Sequence, residues 1–271
     1  MAWTRWSLDP SLVYVALAAG LYVLGSRGGY RPTPLQALAF AASLLTIVIA
    51  LDSPIDDFAD DLFWVHMLQH ILLLTVAPPL LLLGRPWPRM WRALPFEPRT
   101  RAARTIARSR WVAPLRALAR PIPAWILFNA TLIGWHIPGA YDATLTSGVV
   151  HALEHAMFFF IGLLFWARVI DPGPLRPRLI WPARIAYAAS TMIVGWMLAI
   201  TLVMVQHPIY GYYAALQTRP GGISALTDQQ LAAGMMWVPG SIAYTITFII
   251  GFYRWLEPDR STGSAPAAFM T

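Results

Sequence analysis

The sequence predicts an all-α integral membrane protein: a bundle of about seven transmembrane helices, with the N-terminus outside and the C-terminus in the cytoplasm. Two observations predict this fold class, an apolar composition and an uneven distribution of arginine. Of the 271 residues, 57% are hydrophobic and 12% are charged, and the mean hydropathy is +0.53. Soluble domains carry about 25% charged residues, so the composition excludes a soluble enzyme, a disordered protein and a DNA-binding domain.

The apolar residues fall into seven segments that approach the length of a membrane-spanning helix, which is about 20 residues. The segments cover residues 10–25, 35–51, 62–83, 122–137, 148–168, 184–206 and 230–254. We therefore expect residues 1–257 to form a single seven-helix membrane domain with a basic cytoplasmic loop at 84–121. Residues 258–271 are rich in Gly, Ser, Pro and Ala and are predicted to form a short disordered cytoplasmic tail.

The distribution of arginine predicts the orientation. All twenty basic residues are arginines, and 18 of them lie on the side that holds the loops at 26–34, 84–121 and 169–183 and the C-terminus. Only Arg5 and Arg219 lie on the other side. Loops rich in Arg or Lys are cytoplasmic, so the side with 18 arginines faces the cytoplasm. Because the arginines lie between apolar runs, the net charge of +7 indicates membrane topology and no nucleic-acid partner.

The loop at 84–121 holds ten arginines along a segment with helical periodicity. Ile106, Trp111, Leu115 and Leu118 recur between the arginines, as expected of an amphipathic helix. The favoured interpretation is a helix that lies on anionic lipid in the plane of the membrane surface. The alternative is a docking surface for the cytoplasmic loops of a partner protein.

The six histidines are the ionisable groups that point most directly to function, since such groups are costly inside a bilayer and usually functional. By the predicted topology, all six lie in the outer half of the membrane or at its outer rim. His66 and His70 begin the third segment and His151 and His155 begin the fifth, whereas His136 ends the fourth and His207 ends the sixth.

Spacing adds weight to two histidine pairs. The run HMLQH sets His66 and His70 four residues apart with Gln69 on the same face, and HALEH does the same for His151, Glu154 and His155. Two such helices facing each other would form a cage of four imidazoles and one carboxylate. Neutral imidazole suits copper, zinc and iron. The carboxylate would either bind the metal or orient an imidazole.

Methionine thioethers are predicted to lie at about the same depth in the membrane as the histidines. Thioethers favour Cu(I) over zinc or magnesium. They belong to Met67, Met157, Met204, Met235 and Met236. The ordinary interpretation of each is a flexible side chain that fills a gap in the core. His136 and His207 could equally form a hydrogen bond to a neighbouring helix and nothing more. The chain has no cysteine, which excludes thiolate metal sites and c-type haem attachment.

Four runs together carry a resemblance that covers most of the chain. They are HMLQH with LLLTVAPPLLLLGRP behind it, WHIPGAY, HALEHAMFFFIGLLFW and DQQLAAGMMWVPG. In this layout the sequence resembles the polytopic CtaG family of cytochrome c oxidase assembly factors. The resemblance carries over, motif by motif, to His66, His70, His136, His151, Glu154, His155, Asp228, Gln229, Met236 and Trp237. His207 lies outside it.

The resemblance implies a non-enzymatic role in the maturation of a haem–copper oxidase, through copper supplied to its catalytic subunit. The expected metal is copper, held by His66, His70, His151, His155 and His136 near the outer face, with the other motif residues auxiliary. The expected partners are the catalytic subunits of cytochrome c oxidase, copper donor proteins and the lipid membrane. The expected location is the bacterial inner membrane, as a multi-pass protein.

Other functions stay open. The first alternative is a di-metal membrane oxidoreductase of the di-iron kind, although such sites usually have more histidines and lie toward the cytoplasm. A haem carrier with two axial histidines would leave the other four unexplained. HALEH also fits the H-x-x-E-H pattern of a zinc protease, but no third ligand accompanies it. The acidic run LDSPIDDFADD could gather cations, or it could be a solvated loop that caps the third helix.

Overall fold

The computed structural model describes residues 6, 10–27, 31–172 and 179–257. Within these ranges the chain is helical, apart from short connections. The helices in chain order are α1 (Ser11–Gly25), α2 (Pro34–Asp52), α3 (Pro54–Asp61), α4 (Phe63–Ile71), α5 (Ala77–Leu83), α6 (Pro86–Ala93), α7 (Phe96–Arg108), α8 (Val112–Leu118), α9 (Pro121–Trp135), α10 (Pro138–Thr146), α11 (Gly148–Ile170), α12 (Trp181–Met204), α13 (Gly211–Ala215), α14 (Ala225–Trp237) and α15 (Ile242–Leu256). A π-helical turn, Leu72–Val76, joins α4 to α5, and a 3-10 turn, Pro239–Ser241, joins α14 to α15.

Five of the seven predicted segments each overlap one helix, whereas 62–83 contains α4 and α5 and 230–254 contains parts of α14 and α15. Among the described residues, five stretches are long and apolar enough to cross a membrane: α2, the unit Phe63–Leu83, α11, α12 and the unit Ala225–Leu256. The helices α1 and α9 have 15 residues each, about 22 Å of length against a hydrocarbon core of about 30 Å. Together α8 and α9 have the length of a sixth span, but they are bent by 79°. The count of seven spans therefore stays a prediction, and the predicted tail at 258–271 lies outside the described residues.

The unit Phe63–Leu83 is continuous but contains the π-helical turn, and the two prolines that follow leave a carbonyl of this turn without a partner in its own helix. Pro78 and Pro79 have no N–H to donate to the preceding turn. The carbonyl of Leu74 instead accepts a hydrogen bond from Trp166 Nε1 on α11 at 2.9 Å. Gly162 permits this close approach, since a Cβ there would lie 3.0 Å from the same carbonyl oxygen. The backbone of the unit Phe63–Leu83 is thereby fixed against α11.

Three short helices lie at the end of the bundle where α4 and α11 begin. The acidic run predicted as a loop forms α3, whose first turn starts with Pro54 and is capped by the Ser53 hydroxyl, which accepts from the Ile55 amide at 3.2 Å. Proline in the first turn and serine at the cap are both favourable at a helix start. The helices α10 and α13 cover the same end of the bundle.

The predicted basic loop consists of the helices α6, α7 and α8. All side chains of α7 are at least partly exposed, which agrees with an amphipathic surface helix. Arg89 on α6 differs from the other loop arginines because it is buried. Its guanidinium donates to the Arg85 carbonyl at 2.9 Å and to Gln36 Oε1 at 2.6 Å. These bonds fix α6 against the start of α2.

The contact between α1 and α6 depends on Gly25. A Cβ at this position would overlap the backbone carbonyl of Arg89, whereas a Cβ at Gly20 on the same helix would meet nothing within 4 Å. We expect Gly25→Ala to lower the free energy of unfolding by about 1–3 kcal/mol, as overpacking does. Gly20→Ala should leave stability unchanged or slightly raised, because alanine favours helix. Thermal unfolding in detergent, followed by circular dichroism, compares the two variants. Equal melting temperatures would contradict the close packing of α1 on α6.

Candidate metal centre

Two helices bring the predicted ligands together. His66 and His70 lie on α4, and Glu154 and His155 lie in the first half of α11. His66 and His70 lie on one helix face, because four residues complete about one helical turn. Glu154 and His155 are neighbours in sequence, and both side chains reach the same point from α11. One ligand atom from each of the four residues lies within 4.8 Å of all the others. This group, here called the His/Glu cluster, has the donor types that hold copper, zinc or iron.

The atoms at the centre of the cluster face one another without hydrogen bonds. Glu154 Oε2 lies 3.6 Å from His66 Nε2 and 3.5 Å from His70 Nε2, beyond the usual hydrogen-bond distance. Within the described chain, both Glu154 oxygens and the Nε2 atoms of His66, His70 and His155 are buried and make no hydrogen bond. Most buried polar atoms in proteins have a partner. A group of buried ligand atoms without hydrogen-bond partners at one point is what a bound cation would require.

A tyrosine sets the tautomer of His66. Tyr213 on α13 donates its hydroxyl proton to the Ala59 carbonyl, so its oxygen can only accept from His66 Nδ1, which lies 3.1 Å away. Burial raises the pKa of the Tyr213 hydroxyl well above its usual value, so the proton stays in place at neutral pH. His66 therefore carries its proton on Nδ1 and turns the lone pair of Nε2 into the cluster.

His151 lies beside the cluster. Its ring centre is 4.1 Å from that of His155 and 5.1 Å from that of His66. It is not one of the four residues whose ligand atoms all lie within 4.8 Å of one another. Its Nε2 is buried and without a hydrogen bond in the part of the chain that the structure describes. His151 is thus close enough to join the site after a small rearrangement.

Aromatic side chains from the short helices close the site off from solvent. Tyr141, Tyr210 and Tyr213 are almost fully buried, together with Phe63. The Tyr141 ring centre lies 5.2 Å from that of His66 and 4.3 Å from that of Tyr210. We call these four residues the aromatic cap. Excluding water strengthens electrostatic interactions beneath such a cover.

Three of the predicted auxiliary residues hold helices in place. Gln69 donates to the Ala50 carbonyl and to Asp56 Oδ1, both at 2.8 Å, which ties α4 to α2 and α3. Asp228 accepts from the Phe63 and Trp64 amides at 2.9 and 3.0 Å, and so caps the start of α4. Gln229 donates to the carbonyls of Leu202 and His207 and accepts from the Ile209 amide at 2.8 Å, which satisfies the end of α12.

His136 and Met67 lie together, apart from the four cluster residues. His136 Nε2 is 3.3 Å from Met67 Sδ, and both side chains are buried. Met236 lines the same small cavity. The imidazole of His207 is exposed, and Trp237 is 40% exposed with its ring 6.4 Å from that of Trp196. Met204 is 64% exposed. These last three side chains lie outside the cluster.

Sequence reasoning missed the tyrosines of the aromatic cap and the role of Asp142. The Asp142 carboxylate accepts from the Gly211 and Tyr212 amides at 3.1 and 3.2 Å, and so caps α13, which carries Tyr213. Asp142 follows directly after the WHIPGAY run. An aspartate beside a motif rich in glycine and proline is a signal for a cap, but nothing local indicates which helix it caps.

Comparison with known proteins adds to this geometry. A family model described as cytochrome c oxidase caa3 assembly factor matches residues 13–258. The chain belongs to this family of cytochrome c oxidase assembly factors. The match covers nearly the whole chain, including both histidine motifs and the DQQ run, and it agrees with the resemblance found in the sequence.

The curated relatives that this chain matches include longer mycobacterial proteins. A protein of Mycobacterium bovis and one of Mycobacterium tuberculosis, both described as uncharacterized, are each 26% identical to this chain over 255 residues. An uncharacterized protein of Mycobacterium leprae is 24% identical over 269 residues. The alignments cover 92–95% of this chain and 38–40% of the relatives. The chain thus spans about two fifths of the length of the curated relatives it matches. No solved structure matches it significantly.

Asp228 holds the helix that carries His66 and His70. Asparagine at this position offers one oxygen, whereas the carboxylate accepts two amides with its two oxygens. We expect Asp228→Asn to cost about 0.5–2 kcal/mol, the range for a lost cap, and to speed hydrogen exchange in a peptide covering residues 63–66. Mass spectrometry measures that exchange. Asp61→Asn, at an exposed position on α3, is the matched control, and equal exchange in the two variants would contradict the capping role.

Proposed function

We propose that this chain binds copper at the His/Glu cluster and passes it to a catalytic subunit of cytochrome c oxidase, as a membrane assembly factor rather than an enzyme. The observation that carries the proposal is the set of buried ligand atoms without hydrogen bonds, contributed by His66, His70, Glu154 and His155. Family membership supplies the link to the oxidase. The proposal assigns copper as cargo, received from copper donor proteins and released to the oxidase.

The chemistry of the cluster supports a cation. Leaving a buried donor or acceptor without a partner costs about 1–3 kcal/mol, and more for a charged group. Glu154 is fully buried, and its nearest ionisable partners are the two histidines. A metal ion would provide its carboxylate with a counter-charge and would also satisfy the imidazole lone pairs. The hydrogen bond from His66 Nδ1 to Tyr213 already orients the Nε2 lone pair of His66 toward the cluster.

The position of the cluster supports delivery at the outer face. His66 and His70 lie at the start of the span Phe63–Leu83, whereas the basic helices α6 to α8 follow its other end. If the arginine-rich end faces the cytoplasm, the cluster lies near the outside. Copper centres of haem–copper oxidases are reached from that side, so the cargo would not have to cross the bilayer.

Metal analysis of the purified protein, combined with an absorption spectrum, tests the assignment. We expect the His/Glu cluster to hold about one copper ion per chain after the protein is loaded with Cu(II) and desalted. A carboxylate among imidazoles also suits iron, and this feature keeps the di-metal oxidoreductase as the second candidate. Iron in the protein as isolated would favour that enzyme and would overturn the copper proposal.

Topology provides a separate test, and the chain has no native cysteine to interfere. Thr105 on α7 and Thr218, in the connection after α13, are both exposed and would lie on opposite sides. We expect an impermeant thiol reagent to label Thr218→Cys on intact cells and to label Thr105→Cys only after lysis. Labelling of Thr105→Cys from outside would place the cluster near the cytoplasm and would contradict delivery at the outer face.

A further inference from the structure

A second group of soft ligand atoms lies next to the His/Glu cluster, on a cavity of about 60 Å³. Its central contact joins His136, at the end of α9, to Met67 on α4, with Nε2 and Sδ 3.3 Å apart. The sequence separates these residues by 69 positions, so only the fold brings them together. Met192 and Met236 line the same cavity, and His70 lines it as well as belonging to the cluster.

The tautomer of His136 makes the contact unusual. Its Nδ1 lies 2.7 Å from the Leu132 carbonyl oxygen, and a carbonyl can only accept, so Nδ1 carries the proton. In the neutral ring Nε2 then presents a bare lone pair to Met67. A thioether sulfur has no proton to donate. Two acceptors therefore face each other in a buried place with no donor between them.

A metal ion resolves this arrangement. With metal–nitrogen and metal–sulfur bonds of about 2.0 and 2.3 Å, a separation of 3.3 Å corresponds to an angle of roughly 100° at the metal. That angle lies within the range of three- and four-coordinate sites. The His/Glu cluster has a carboxylate, whereas the residues lining this cavity offer thioethers and imidazoles without one. Such a soft set selects Cu(I) over harder divalent ions.

We propose that Met67 and His136 form a second metal site that takes one Cu(I) ion, beside the His/Glu cluster and linked to it through His70. This proposal rests on the proposed function, because it assigns a further copper position on the same route. The two sites differ in ligand type: the cluster combines imidazoles with a carboxylate, whereas the cavity combines the imidazole of His136 with thioethers. His70 connects the two sites, because it belongs to the cluster and also lines the cavity.

Silver ion tests the second site, because Ag⁺ is a soft monovalent probe that does not change oxidation state. The purified protein, its Met67→Leu variant and its Met204→Leu variant are each loaded with Ag⁺, desalted and analysed for metal. Leucine conserves the volume of methionine, so the core tolerates the change, and Met204 is an exposed control. We expect Met67→Leu to hold one Ag⁺ fewer per chain than the other two. An equal number in all three would overturn the second site.

The same samples, loaded with Zn²⁺, separate this proposal from the first. Met67→Leu should keep the Zn²⁺ bound by the cluster, whereas His155→Ala should lose Zn²⁺ and keep the Ag⁺ held by Met67. If His155→Ala keeps its Zn²⁺, the cluster assignment fails and the second site stands. X-ray absorption of His155→Ala loaded with Cu(I) gives a further measure. A sulfur neighbour at about 2.3 Å that disappears in the double variant with Met67→Leu supports the site, and its absence from the single variant overturns it.

Discussion

Replacing His155 with alanine is expected to abolish Cu(II) binding at the His/Glu cluster of the purified protein while leaving the protein folded in the membrane. His155 Nε2 lies in the His/Glu cluster and makes no hydrogen bond within the described chain, so its loss removes a ligand without breaking a hydrogen bond of that atom. The fall in affinity should exceed the roughly 10–100-fold loss that follows changes to residues around a metal's ligands. Equilibrium competition with a copper chelator measures it.

His207→Ala is the matched control for this experiment. It makes the same chemical change at an exposed histidine outside the cluster, so copper affinity should stay at the wild-type value. Circular dichroism should show the same helix content for both variants. If His155→Ala binds copper as tightly as His207→Ala does, His155 is not a ligand and the cluster assignment is wrong.

In cells, the same substitution is expected to lower cytochrome c oxidase activity to the level of a strain that lacks the gene. The reason is that an assembly factor without cargo leaves the oxidase without copper, although haem insertion should continue. Oxidase activity and the copper-to-haem ratio of isolated membranes measure the effect, after immunoblotting confirms equal amounts of protein. Copper added to the medium should restore part of the activity.

The His207→Ala strain should keep wild-type oxidase activity, which excludes a general effect of histidine replacement. A deletion strain with undiminished oxidase activity and a normal copper-to-haem ratio would refute copper delivery. Copper-replete oxidase in the His155→Ala strain would refute the role of the cluster. The two outcomes are independent, because the first concerns the whole protein and the second concerns one ligand.

Much of the fold could be predicted because its signals are local. A run of apolar residues indicates a span on its own, and a spacing of four residues puts two imidazoles on one helix face whatever the rest of the chain does. The two histidine motifs therefore predicted both the helices and the residues that now form the His/Glu cluster. Length limits the same reasoning: 15 apolar residues, as in α1 and α9, indicate a helix without showing that it crosses the membrane.

The supporting contacts could not be predicted, since they join distant parts of the chain. The bond between His66 and Tyr213 spans 147 residues, and the cap of Asp228 on Trp64 spans 164. Tyr213 lies on a five-residue helix, which is too short to produce a periodic pattern. The pairing of Met67 with His136 likewise depends on how α9 packs near α4. Such contacts follow from the packing of the whole bundle, and no local pattern in a single sequence predicts them.

The cap on α4 also has a consequence for biosynthesis. A chain emerges from the ribosome N-terminus first, so His66 and His70 are made long before Asp228, the residue that satisfies the first amides of their helix. Glu154 and His155 are also made later than the first histidine pair. The nascent chain therefore has an incomplete and loosely held site until the unit Ala225–Leu256, which carries Asp228, has been made. Competence to hold a metal thus arises only after Asp228 has been made, 158 residues later than His70.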